Sequence, residues 1–404
     1  MSLPPLVAES GPLSPTELAR YARHLSLPQI GPSGQRRLKN ARVLVVGAGG
    51  LGSPALLYLA AAGVGTIGIV DDDVVDSSNL QRQVIHGTAD VGRHKVESAR
   101  DAMLAVNPDV EVRVHPVRLT ADSALGVLEG YDLVLDGADN FATRYLVNDA
   151  CALLGLPYVW GSIFRFQGQM SVFWSAPPAG VGAVTYRDLF PSPPPPGTVP
   201  SCAEGGVLGA LCATVGSVMA TEAVKLITGS GRTLLGRLAV YDALDLTWRE
   251  LAVEADPALD PVTELVDYDL FCGVPGARTE PGAGTVTASA DDQAATTGRD
   301  LTVSELATAL AAGEDLVVVD VREGYEREIA SIPGSVHVPM DDLLSGRALA
   351  EVPRDRPVVF CCKVGGRSQA VVDAARAAGL TNVGNLRGGV MAWVREIDPS
   401  QPLY

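Results

Sequence analysis

The stretch from Arg42 to Asp71 limits the fold of this chain more than any other. Arg42-Val-Leu-Val-Val46 has strand propensity and runs straight into Gly47-Ala-Gly49-Gly50-Leu-Gly52-Ser53, and an Ala/Leu-rich pattern continues from Pro54 to Ala62. That order predicts a strand, a tight turn and a helix. Gly47 and Gly49 let the backbone turn sharply and approach a ligand, and Gly52 lets the helix sit close on the strand. The N–H groups at the helix start then face a phosphate. A second strand, Thr66-Ile-Gly-Ile-Val70, ends in Asp71, nineteen positions after Gly52. An acid in that place bonds a ribose hydroxyl.

With strand and helix around it, the glycine pattern alone has NAD binding as its default reading. The residues just downstream argue for a different chemistry. Asp71-Asp72-Asp73-Val-Val-Asp76-Ser-Ser78-Asn79-Leu80-Gln81-Arg82-Gln83 gathers acids, amides and an arginine just past the second strand, and Lys95 comes soon after. Hydride transfer does not require extra cations near the phosphates. Cleavage of a triphosphate does, because charge builds on the phosphoryl oxygens in the transition state. The competing reading places Arg82 and Lys95 on a solvated surface.

The ordered string Gly-x-Gly-Gly-Leu-Gly-Ser, Asp-x-Asp-x-Val-x-x-Ser-Asn-Leu-x-Arg-Gln and Gly-x-x-Lys-Val-Glu-Ser-Ala resembles the adenylating E1-like family of the MoeB/ThiF type. Its near members activate sulfur-carrier proteins for molybdopterin, thiamine and related pathways. The resemblance implies that Gly47, Gly49 and Gly50 cradle ATP and that Asp71 holds its ribose. Ser78, Asn79, Arg82 and Lys95 then address the phosphates, in a binding stretch that includes Leu80 and Gln81. It also implies that Arg23 reaches into a partner subunit's ATP site, which makes the enzyme a homodimer. The competing reading of Arg23 is an ordinary surface arginine.

The totals are compatible with this. A chain of 404 residues, 47% hydrophobic and 19% charged, is long enough for two domains of a soluble globular protein. A net charge of −16 argues against nucleic acid as the main partner. No apolar run reaches the ~18 residues of a membrane span, and the N-terminus lacks a signal-peptide core, so the expected location is cytoplasmic. Six cysteines in so large a chain do not suggest a disulfide framework.

In chain order, residues 1–13 look disordered, and Ser14 with Glu17 reads as a capping box opening a helix. Val110–Val114 and Tyr131–Asp136 read as strands. Alternating strands and helices imply an α/β fold with a parallel Rossmann-like sheet, whose ligands gather at the carboxyl ends of the strands. Asp139 and Asn140 fall there. The family places this Asp beside the phosphates and the metal, so Asp139 is the candidate Mg²⁺ ligand; the competing role is helix N-cap, and the two are compatible. Strands are also expected at 156–162 and 168–174, where family members receive the carrier. A Pro/Gly-rich loop at 177–200 is read as irregular. Cys202 follows it and precedes a helix, which lowers a thiol's pKa. In the family a cysteine here can link covalently to the activated carrier. Cys151 and Cys212 read as core. Many relatives carry two C-x-x-C pairs forming a zinc tetrathiolate. Here the first region, after Trp174, has none and the second keeps only Cys272, so no structural zinc is expected. Residues 275–299 read as a flexible linker after an adenylation domain at 14–274.

Residues 300–404 begin afresh as a smaller α/β domain. Arg356-Pro-Val-Val-Phe-Cys361-Cys362-Lys363-Val364-Gly365-Gly366-Arg367-Ser368 puts cysteine at the end of a buried strand, in a loop that opens a helix. Gly365 and Gly366 permit a curve whose N–H groups point inward. The thiolate gains from those donors, from the helix terminus and from Lys363 and Arg367. Asp-Val-Arg-Glu, Ile-Pro-Gly-Ser, the Cys-x-x-x-x-Arg loop and Gly-Gly-x-x-x-Trp occur in order and resemble a rhodanese domain. The nucleophile implied is Cys362, counted back from Arg367, with Cys361 completing the strand.

Together the two halves imply ATP-dependent adenylation of the C-terminal Gly-Gly carboxylate of a small ubiquitin-like sulfur carrier. Sulfur then comes from a Cys362 persulfide, and thiosulfate or a cysteine desulfurase is the donor. An NAD-dependent oxidoreductase with a regulatory domain, and a non-catalytic carrier-binding scaffold, are the alternatives.

Overall fold

A computed structural model describes residues 3–194, 206–273 and 298–403. The chain divides into two compact units, Met1–Glu280 and Pro281–Tyr404.

The first unit is built on one sheet of eight strands. β1 (Arg42–Val46), β2 (Thr66–Val70), β3 (Glu111–His115), β4 (Leu133–Asp136) and β5 (Tyr158–Phe164) run parallel. Helices Gly52–Ala62, Lys95–Val106, Ala121–Leu128 and Phe141–Leu154 connect them. β6 (Gln167–Phe173), β7 (Arg237–Asp242) and β8 (Thr247–Ala252) extend the sheet antiparallel. The period-2 alternation of strands feeds two cores, one per face. Val43, Val45, Ile67 and Ile69 enter one; Leu44, Val46, Val70 and Val134 enter the other.

Across the sheet the order is β3-β2-β1-β4-β5-β6-β7-β8. It reverses at β1/β4, and in such sheets the crevice beyond the strand ends at that point is the ligand site. The 20-residue helix Gly209–Thr228 is long and apolar enough to cross a membrane. Here Leu211, Val215, Met219 and Ala223 bury it in the first core.

Some local expectations change. The N-terminal segment is docked from its third residue: Leu3 and Val7 are buried in the core, and the Leu6 N–H donates to the Leu226 carbonyl at 3.0 Å. The proline-rich sequence hid this because a docked extended segment leaves no periodic signature. Ser14 and Glu17 do form the capping box. The helix they open stops at Arg20 and resumes at Ala22, with Tyr21 between the pieces. The Tyr21 side chain is buried and its hydroxyl accepts from Asn107 Nδ2 at 2.8 Å. Within the proline-rich loop, Thr185 and Asp188 cap a one-turn helix, Tyr186–Leu189.

The second unit has a four-stranded parallel sheet built from β9 (Val317–Asp320), β10 (Val336–His337), β11 (Val358–Cys361) and β12 (Val383–Asn385). Their order is β10-β9-β11-β12. β11 ends at the cysteine pair, and helix Gly366–Ala377 follows at once.

Candidate active site

Each unit presents one chemically distinctive site. In the first, a cleft of about 390 Å³ opens beyond the ends of β1, β2 and β4. Gly47 has φ +91°, and a Cβ on Gly52 would lie 1.9 Å from the Gly47 carbonyl oxygen. The turn and the close helix start therefore both require glycine. The residue between them is held on both sides. Ala48 N–H donates to Asp71 Oδ2 at 2.8 Å, and the Ala48 carbonyl lies 3.0 Å from His86 Nε2. Since a carbonyl only accepts, Nε2 carries the proton, and Nδ1 accepts from Ser98 Oγ at 2.8 Å. Burial lowers the His86 pKa, favouring that neutral ring. Asp71 Oδ1 accepts from Asp73 N–H at 2.9 Å. Burial raises the Asp71 pKa, against an opposing pull from Lys95.

Gly47, Gly49, Gly50, Asp71, Arg82, Lys95, Asp139 and Asn140 all line the cleft. Lys95 is almost fully buried, and its Nζ rests on Asp73 Oδ2 at 2.7 Å. Arg82 donates to the Ser78 carbonyl at 3.3 Å. Asp139 is exposed, and the cap of helix Phe141–Leu154 is Asn140, which accepts from Thr143 N–H. The cap reading of Asp139 is thus corrected: the side chain one residue nearer the helix has the reach for N3.

Ser78, Asn79, Leu80 and Gln81 are not part of the cleft lining. Asp76 holds the Ser78 N–H and hydroxyl. Asn79 Oδ1 accepts from Gln83 Nε2 at 2.7 Å, and the buried Gln83 lines the cleft in its place. Arg23 is exposed on helix Ala22–Leu25 and lies outside the lining as well.

Two cleft arginines went unassigned from sequence. Arg118 meets both carboxylate oxygens of Asp269, at 2.7 and 2.8 Å, across 151 positions of chain. Arg144 is buried, donates from Nε to the Ala138 carbonyl at 3.1 Å, and stands 5.5 Å from the Phe141 ring centroid. Beneath the same loop, Asp136 Oδ1 accepts from Ala138 N–H at 2.9 Å while Oδ2 is buried without a partner. Burial raises its pKa to about 6.

Cys202 lies outside the described residues. Cys151 and Cys212 are buried, as core positions should be. Cys272 is half-buried, and burial pushes its thiol up to about 11. At the other expected zinc position, Ser175 Oγ donates to the Ala152 carbonyl at 3.1 Å. Near Cys272, Asp149 accepts from Tyr268 at 2.6 Å and from Arg187 through both oxygens.

In the second unit, Cys362 is fully buried at the head of the predicted loop. Its Sγ is met by Gly365 N–H at 3.1 Å and lies 3.3 Å from Ser368 Oγ. Gly365 has φ +106°, which curves the loop inward. Arg367 does not stand over the sulfur as a free cation. Its two terminal nitrogens donate to Glu326 at 2.8 and 2.7 Å, fastening the loop to helix Gly324–Ile329. Lys363, Val364 and Gly366 complete the loop, with Val364 exposed.

Comparison with known proteins matches a family model to each unit. The ThiF family matches residues 21–262, and a rhodanese-like domain matches 302–396. A probable adenylyltransferase/sulfurtransferase, MoeZ of Mycobacterium tuberculosis, is 56% identical over 404 residues, covering 100% of this chain and 99% of that protein. The adenylyltransferase and sulfurtransferase MOCS3 of Aedes aegypti is 40% identical, covering 97% of this chain and 90% of that protein. A sulfur carrier protein adenylyltransferase of Thermus thermophilus is 54% identical over 64% of this chain and 97% of its own length. Among solved structures, E. coli MccB shares the fold at TM-score 0.54 and 21% identity, over 63% of this chain and 75% of that one. The chain belongs to the ThiF family, carries a rhodanese-like domain after it, and is an adenylyltransferase and sulfurtransferase.

Proposed function

We propose that the chain adenylates the C-terminal Gly-Gly carboxylate of a small ubiquitin-like sulfur carrier, then converts it to a thiocarboxylate with sulfur from a Cys362 persulfide. One observation carries this reading: a single chain holds both a cation-lined cleft at the sheet's switch point and a loop whose Gly365 N–H closes on a cysteine sulfur. We assign 14–274 to adenylation, 275–299 to a linker and 300–404 to sulfur transfer.

The carrier carboxylate attacks the α-phosphorus of ATP, the bond to the bridging oxygen breaks, and pyrophosphate leaves. Gly47, Gly49 and Gly50 give the nucleotide close approach to the backbone, and Asp71 takes the ribose. Arg82 and Lys95 meet the charge that builds on the phosphoryl oxygens. Exchange of Asp73 for a phosphate oxygen on Lys95 is a short move, since Asp73 is itself solvent-facing. The exposed Asp139 carboxylate is a hard oxygen donor of the kind Mg²⁺ takes, and such an ion neutralises phosphate charge. Arg23 lies exposed on helix Ala22–Leu25, outside its own chain's cleft lining; we propose that it serves the site of a second copy in a homodimer.

Joined to AMP, the carboxylate has a good leaving group. The terminal sulfur of Cys362–S–S⁻ attacks the carbonyl carbon, AMP leaves, and an acyl disulfide forms. A second thiol then attacks the Cys362 sulfur, forming a new disulfide and freeing the thiocarboxylate; Cys202 is proposed to take part in the sulfur or acyl transfer through a covalent link to the activated carrier. Thiosulfate or a cysteine desulfurase reloads Cys362. The carrier has a landing surface at the β7–β8 turn, where Leu244, Leu246 and Trp248 are exposed. With one thiol at Cys272 and a hydroxyl at Ser175, we propose that no structural zinc is bound. The setting is cytoplasmic.

The test is the intact mass of Gly-Gly carriers incubated with the protein, Mg-ATP and thiosulfate. A gain equal to sulfur replacing oxygen, lost with Cys362→Ala, is expected. Absence of both that product and an AMP adduct with every carrier tried refutes the reading.

A further inference from the structure

The Cys362 sulfur ends a run of polar groups whose direction is fixed from its far end. Asp373, a carboxylate, accepts from Gln369 Nε2 at 2.9 Å. That turns Gln369 Oε1 toward Asn385, whose Nδ2 donates to it at 3.1 Å and to the Gly365 carbonyl at 3.0 Å. Both neighbours are acceptors, so the Asn385 amide has one orientation. Its Oδ1 faces Ser368 Oγ at 2.7 Å. An amide oxygen has no proton, so Ser368 donates there, at a shorter distance than to the Gly365 carbonyl at 3.2 Å or to Sγ at 3.3 Å. A hydroxyl has a single proton to give. With it on Asn385, the side of Oγ that faces Sγ presents a lone pair. That geometry suits a neutral thiol, which donates its S–H to Oγ, and opposes an anionic sulfur. Ser368 and Asn385 are buried, so water does not substitute for either.

We propose that Asn385 is a positioning residue for sulfur chemistry: it keeps the Ser368 proton while Cys362 is a thiol and yields it when the sulfur is an anion, thiolate or persulfide. On ionisation the thiol proton passes to solvent. The Ser368 hydroxyl then turns, its bond to Asn385 Oδ1 breaks, and one to the sulfur forms. The inference rests on Cys362 as the sulfur-bearing residue of the proposed function.

The experiment is the rate of Cys362 alkylation by iodoacetamide against pH in the full chain, read from fragment masses of the labelled peptide. Ser368→Ala removes a donor to the anion, and the half-maximal pH rises by roughly 0.5–1 unit, since a charge-assisted bond is worth about twice a neutral one. Asn385→Leu removes the acceptor that competes for the proton, and the half-maximal pH falls by roughly half a unit. Ser368→Thr keeps the hydroxyl and the original profile. Gln369→Leu, at a more exposed position, loosens the amide's orientation and gives a smaller fall, which keeps the proposal testable if Asn385→Leu does not fold. A loop merely loosened would move Ser368→Ala and Asn385→Leu in the same direction. That result, or unchanged profiles in both Asn385→Leu and Gln369→Leu, overturns the proposal. Sulfur transfer that survives Cys362→Ala would instead overturn the underlying assignment.

Discussion

In the cleft proposed for the nucleotide, charged groups stand around about 390 Å³ of open space; around Cys362 the polar groups touch one another. Lys95 leans on a solvent-facing acid. Arg367, by contrast, is 16% exposed and bound through two nitrogens to Glu326, which is 4% exposed. The first arrangement leaves cations to be recruited by a large polyanion. The second spends its cation on holding a loop and meets a single sulfur atom with a backbone N–H and a hydroxyl. A site for a flexible, highly charged substrate needs reserve charge, whereas a site for one transferable atom needs fixed geometry.

That contrast breaks most readily at its two centres. Cys362→Ala is expected to cut sulfur transfer by roughly 10³-fold or more while leaving carrier-dependent ATP–pyrophosphate exchange intact. Arg82→Ala should do the reverse, with exchange down by about 10²-fold or more. Loss of both activities in a folded single variant would show that the two sites are not separable. A second test sharpens the claim that Arg367 is structural. Glu326→Gln removes the carboxylate charge from the largely buried Arg367 pair, and thermal unfolding of the second unit should report a loss of about 3 kcal/mol. A fall in sulfur transfer without loss of stability would instead place Arg367 at the sulfur.

The pH dependence of stability tests the first unit by itself. In the folded state burial holds the Asp136 pKa up at about 6, above its unfolded value of about 3.9. The folded state therefore keeps a proton that the unfolded chain has lost. Stability from this group is complete below the unfolded value and declines by about 3 kcal/mol as pH rises from ~4 to ~6. Asp136→Asn, which keeps the acceptor for Ala138 N–H, should flatten that decline in denaturant titrations. His86 contributes a smaller effect of opposite sign. Its pKa is lowered by burial, so its share of stability is present above the unfolded value of about 6.5 and is lost as pH falls below it. His86→Gln should remove part of the loss on acidification.

The residues legible in the sequence were those whose role is local. The strand, glycine turn and helix at 42–62, the acid at the end of β2, and the cysteine loop at 362–367 each lie within one short stretch, where propensity and turn chemistry act together. Arg118 with Asp269, Glu326 with Arg367 and Ser368 with Asn385 are pairs separated by 151, 41 and 17 positions. Nothing local marks such partners, because tertiary folding alone brings them together. Ser78 and Asn79 show the converse limit. Their motif was visible, but the turn built by Asp76 directs Asn79 to Gln83, and Gln83 forms the cleft wall.

Cys361 and Cys362 are neighbours in sequence, yet alternation along β11 sends them into different cores. Oxidative chemistry at the sulfur loop is shaped by this. A sulfenic acid on Cys362 is ordinarily rescued by a nearby resolving thiol, and the adjacent cysteine, facing the other side of the sheet, cannot play that part. Under the proposed function, recovery of sulfur transfer after oxidation therefore falls to a thiol from elsewhere.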